Sequence, residues 1–154
     1  MKRLLISLVG VLPALVTQAA GSGDLPLTAA DHRIVISVTQ DERNQMLFEM
    51  REFLHHLFNI HNALANGDMA AVARSAAPMG EGILHRLPAS VRNDSPVAFQ
   101  EMSHGMHEIF RLIAKDAQVK GDIKYTVGQL AEAMTYCAGC HDTYRLQIQQ
   151  RKRD

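Results

Sequence analysis

Apolar side chains recur at helical spacing along most of the chain. Thr39 and Glu42 form a capping-box pair, in which each side chain satisfies an orphan backbone donor of the other. Leu47, Met50, Leu54, Leu57, His61 and Leu64 then follow at intervals of 3, 4, 3, 4 and 3. That spacing predicts one buried face on a first helix, stopping near Asn66-Gly67. Asp68 is the N-cap of a second, alanine-rich helix to about Ala77, whose end is blurred by Pro78, Gly80 and Gly82. Leu87 to Asp94 reads as a loop. Ser95-Pro96 opens a third helix, with Pro at the first helical position. Its face is Phe99, Met102, Met106, Ile109 and Ile113, and it ends before Gly121. A fourth runs from Asp122 to about Gln150, with Leu130, Met134, Cys137, His141 and Tyr144 on one face. Four amphipathic segments, short connections and almost no strand signal predict an all-α fold, an antiparallel four-helix bundle over residues 39–154.

The N-terminal part breaks this pattern. Residues 20–38 read as an irregular extension: Gly21, Ser22, Gly23 and Pro26 suit a linker, and Ile34, Val35, Ile36 and Val38 suit a short extended piece. Lys2 and Arg3, the apolar run Leu4 to Val16 and the small residues Thr17 and Ala19 predict a cleaved signal peptide over residues 1–19. The run is too short to cross a bilayer comfortably, so export without stable membrane association is expected.

Composition narrows the function classes. The 154 residues carry 16 basic and 16 acidic side chains, and loss of Lys2 and Arg3 leaves 14 against 16. That balance argues against a protein built to grip nucleic acid or an anionic membrane. Two cysteines exclude a disulfide-dense scaffold. With no Trp, three Tyr and five Phe, the core has few large flat side chains to fill it.

Both cysteines sit in Cys137-Ala138-Gly139-Cys140-His141, the pattern of covalent c-type haem attachment. Two thiols three residues apart lie close together on a helix, so each can add to one vinyl group of a single porphyrin. The adjacent imidazole then presents itself to the iron as proximal ligand. A thioredoxin-like pair would follow a strand, whereas helical periodicity precedes Cys137 here. A zinc site would need further ligands. One haem c is therefore the expected cofactor, and a large flat apolar group also suits a chain short of aromatics. No nucleophile–base pair, phosphate loop or carboxylate dyad suggests an enzyme, so the expected partners are redox proteins.

Cys137-Ala-Gly-Cys-His-Asp-Thr-Tyr144-Arg145, near the end of a four-helix chain, resembles the class II cytochromes c, meaning cytochrome c prime and its low-spin Met-ligated relatives. The likeness spans roughly residues 39–150. It implies a left-handed bundle with haem between the helices, often a homodimer, in a periplasm, with Arg145 beside the proximal face of the haem. A plain role for Arg145 at the negative end of a helix is equally open. Residues 25–38 have no counterpart in that family pattern.

The sixth iron position decides the function. In the predicted topology the start of the first helix lies level with His141, which brings up Met46 and Met50. His61, eleven residues past Met50, is about 16 Å further along the axis and reads as a seam residue. Met50 is on the predicted seam and is favoured both by that position and by the resemblance, Met46 is one residue off it, and both could be core fillers. A thioether ligand suits an electron carrier. Leu47 over the iron would instead leave an open site for a gas such as nitric oxide. A thiol–disulfide oxidoreductase is the alternative of another class. His55, His56, His104 and His107 read as surface residues, and His32 lies in the unplaced extension. Arg43 is a candidate contact for a haem propionate, and the Arg151-Lys152-Arg153 tail is a solvated helix end or a docking site for an acidic partner.

Overall fold

The computed structural model describes residues 30–80 and 88–149, with the backbone alone at positions 89 and 90. The leader and the basic tail read from the sequence lie outside them. Backbone contacts divide the chain between Asp31 and His32, and everything below belongs to the second unit. That unit is mostly helical: α1 (Gln40–Ala65), α2 (Met69–Gly80), α3 (Ala89–Asp94), α4 (Val97–Val119) and α5 (Ile123–Thr143), with strands β1 (Ile34–Val38) and β2 (Tyr144–Ile148).

Local chemistry explains most helix ends. The Thr39 hydroxyl accepts from the Glu42 amide, and the Glu42 carboxylate accepts from the Thr39 amide at 2.7 Å, so the capping box closes in both directions. Asp68 accepts from the Ala71 amide at 2.8 Å, and Asp122 from the Tyr125 amide at 2.9 Å. At α4 the frame moves by one: Pro96 is itself the cap residue, without a side-chain bond, and Val97 is the first helical position. Ser95 instead closes α3, a short helix where the sequence predicts loop. Helix α2 continues to Gly80 with Pro78 inside its last turn. A Cβ on Gly80 would lie 2.7 Å from both Cα and N of Arg111, so only glycine lets the α2 and α4 backbones approach this closely.

The fourth predicted helix ends early. At Tyr144 the chain turns extended and forms β2, parallel to β1, with Ile34 opposite Tyr144 and Val38 opposite Ile148. The extended piece expected in residues 34–38 is thus present, and it finds its partner 110 positions away. Tyr144 fits a helical face by spacing. Pairing with a β-branched segment wins, because Ile36, Val38 and Tyr144 then bury together.

Two apolar clusters result. The larger joins Phe53, Ile60 and Leu64 of α1 to α2, to Ile109, Phe110 and Ile113 of α4, and to Leu130 and Ala133 of α5. The smaller joins Ile36, Val38, Met46, Val91 and Tyr144, with Phe99, Met102 and Leu146 partly buried against it. On α1 the buried face is Met46, Glu49, Phe53, Ile60, Ala63 and Leu64, one residue out of step with the predicted face, and Leu54 is 65% exposed. On α5 the same slip leaves Met134 half exposed and buries Gln129 and Ala133.

Candidate functional site

A cavity of about 360 Å³, within the size range of small-molecule and cofactor sites, lies among α1, α4, the end of α5 and β2. Cys137, Cys140, His141, Met46, Met50, Arg43 and Arg145 all line it, as does Leu47. The residues singled out in the sequence therefore meet in one place. His32, His55, His56, His61 and His104 are not among its lining.

The last two turns of α5 carry the thiols, three positions apart and both half-buried. Burial pushes both thiols above their ordinary pKa, and Cys137 adds to the effect at Cys140. The Cys140 thiol lies 3.7 Å from the Met102 sulfur. Gly105 lets α4 come close at this level, since a Cβ there would sit 2.5 Å from the Tyr136 ring. His141 is exposed at the cavity edge, in the last turn of α5.

Elsewhere in the lining, the two methionines of α1 differ in a way the sequence misjudges. Met46, read as off the seam, is 7% exposed and packed in the smaller cluster. Met50, read as pointing inward, is 36% exposed and outside both clusters, while still lining the cavity. The cause is the one-residue rotation of α1. Leu57 and Leu64 suit the predicted frame, but the helix buries Phe53 and Ile60 and accepts Glu49 into the same face.

Three histidine readings are corrected. His61 is exposed, and its Nδ1–H donates to the Leu57 carbonyl at 2.7 Å, so it is not a seam residue. His107, read as a surface residue, is 4% exposed and lines the cavity. Its Nδ1–H donates to the Met79 carbonyl at 2.6 Å, so in the neutral ring Nε2 carries no proton, and Nε2 has no hydrogen-bond partner among the described residues. Burial lowers its pKa below the ordinary histidine value, against the opposing effect of the Met79 carbonyl. His56 is half-buried rather than plainly exposed.

Sequence reasoning also missed Arg33 and Glu49, both lining the cavity. Glu49 sits in an apolar frame and breaks the pattern that would have found that frame. Arg33 lies in a segment without helical periodicity, and its partner, the His141 carbonyl at 3.2 Å, is 108 positions away. The charged side chains on this mainly apolar wall are Arg33, Arg43 and Arg145 against Glu49 alone.

These residues fit a covalently held tetrapyrrole. The lining brings together two thiols and an imidazole, the thioethers of Met46, Met50 and Met102, the aromatic rings of Phe53, Phe99 and Tyr136, and guanidinium groups suited to carboxylates. Among the described residues no group of three or more His, Cys, Asp and Glu is arranged to hold a bare metal ion. No described helix is long and apolar enough to cross a membrane. Comparisons with protein-family models, curated proteins and solved structures found no match.

Proposed function

We propose that the chain is a periplasmic, monohaem c-type cytochrome that carries single electrons, with α1, α2, α4 and α5 acting as an antiparallel four-helix bundle around the haem. One observation carries the reading: the Cys137–Cys140–His141 motif shares a single apolar-walled cavity with Met46 and Met50. Cys137 and Cys140 would form the thioethers and His141 would be the proximal ligand. Bound there, the group supplies a one-electron iron couple. The chain's own residues would hold it, with Arg43 and Arg145 placed in the lining to meet its carboxylates. The apolar leader with Lys2 and Arg3 supports export.

Met50 remains the favoured distal ligand, now for a different reason. Met46 has its volume filled by Val38, Val91 and Tyr144 as neighbours in a packed cluster, whereas Met50 belongs to neither cluster. The thiol–disulfide alternative is disfavoured by the upward push on both thiols, the reverse of what an attacking thiolate needs. Leu47 on the same wall keeps the gas-binding reading in view.

The test is the full chain, exported and matured with haem-attachment machinery. Expected are the mass of one haem on the mature polypeptide and a low-spin spectrum unchanged by carbon monoxide. Met50→Ala should convert it to a high-spin form that binds carbon monoxide, and Met46→Ala should not. A high-spin wild type that binds carbon monoxide supports the gas reading. A colourless protein with two titratable thiols overturns both.

A further inference from the structure

We propose that Arg33 is the positioning residue for His141: β1 clamps the end of α5, and the guanidinium fixes the His141 carbonyl while adding positive charge to the cavity wall. This rests on the cavity being a haem site, and it concerns a segment that the motif itself does not involve.

The contact is direct. Arg33 Nη1 donates to the His141 carbonyl at 3.2 Å. Carbonyls in the last turn of a helix lack intrahelical partners and carry the negative end of the helix dipole, so a cation with several donors is the natural cap. The position of Arg33 is set by its strand. It immediately precedes Ile34, which pairs with Tyr144, three residues after His141. Ile36 and Val38 are buried, and the Gln149 amide donates to the Val38 carbonyl at 2.9 Å, so the strand is held along its length. Arg33 also lines the cavity that His141 lines.

Two consequences follow at the imidazole. Groups that fix the backbone and ring of a ligand restrict its orientation, as outer-shell partners of metal ligands do. A fixed positive charge beside a one-electron centre disfavours the more positive, oxidised state and so raises its potential.

The full chain would be matured as wild type, Arg33→Lys, Arg33→Gln and Arg33→Ala. Hydrogen exchange over residues 141–148 is compared with exchange over α2 and α4, alongside reduction potential and the electron paramagnetic resonance signature of the ferric protein. In Arg33→Ala, exchange at 141–148 should quicken several-fold while α2 and α4 stay unchanged. Arg33→Gln and Arg33→Ala should lower the potential, so that at a fixed ambient potential the reduced-to-oxidised ratio falls about threefold or more, whereas Arg33→Lys should stay near wild type. Wild-type exchange, potential and resonance signature in all three variants would overturn the assignment. So would faster exchange with an unmoved potential, which marks a plain structural strap. Wild type that gains no haem mass sinks the haem reading alone. The exchange comparison then judges the clamp, quickened exchange supporting it and unchanged exchange overturning it.

Discussion

The two apolar clusters of this protein are built on opposite principles. The larger is assembled from helices that, α3 aside, follow one another along the chain, with α1 against α2, α2 against α4 and α4 against α5. The smaller has only five buried residues, and it joins Ile36 and Val38 to Tyr144, from opposite ends of the described chain. The cavity draws its lining from both, with Phe53 from the larger and Met46 and Tyr144 from the smaller. The larger cluster holds most of the buried apolar residues, while Cys137, Cys140, His141 and Met50 belong to neither cluster and line the cavity. A site built this way can be loosened without unfolding the molecule.

That contrast can be broken from either end. The largest effect is expected at Phe110, 1% exposed in the larger cluster: Phe110→Ala should cost about 3–5 kcal/mol of global stability in denaturant titrations. Ile36→Ala in the smaller cluster should cost about 2 kcal/mol. Its signature should be local, with faster hydrogen exchange at residues 144–148 and little change in α2 and α4. Equal exchange changes in both regions would erase the distinction.

The smallest effect is a slope in pH. His107 is buried with its pKa lowered, so the unfolded chain takes up a proton more readily than the folded one. Its contribution to stability is complete above the unfolded value of about 6.5 and is lost as pH falls through and below it. For one proton the slope is at most about 1.4 kcal/mol per pH unit. His107→Leu should flatten the dependence of unfolding free energy between pH 7 and 5, and an unchanged slope would remove His107 from the account.

Much of the site was legible in the sequence because its signals are local. The attachment motif, the Thr39–Glu42 capping box and the Asp68 and Asp122 caps depend on residues within four positions of each other, and the three caps form as read. The faces of α1 and α5 were misjudged for a different reason. Leu54 and Met134 continue an apolar repeat that the fold leaves exposed, while Glu49 and Gln129 interrupt the repeat that it buries. Periodicity weighs residue type, but burial depends on which partner helix is present. Tyr144 shows the limit of the method. At helical spacing from His141 it reads as one more turn, and only a strand 110 residues earlier makes it extended. His107 and Arg33 were missed likewise, since their partners, Met79 and His141, lie 28 and 108 positions away.

The parallel pairing of β1 with β2 also fixes an order of events. Joining segments about a hundred residues apart carries a loop-closure cost of about 4 kcal/mol beyond the constant term, more than two five-residue strands return on their own. The helices must first draw the two ends together, so the ribbon zips up late. Until then Tyr144, Arg145 and Leu146 of β2 are not yet held in the lining of the cavity. If a bulky planar guest is held as proposed, its widest doorway comes before the ribbon closes, and its narrowest way out afterwards.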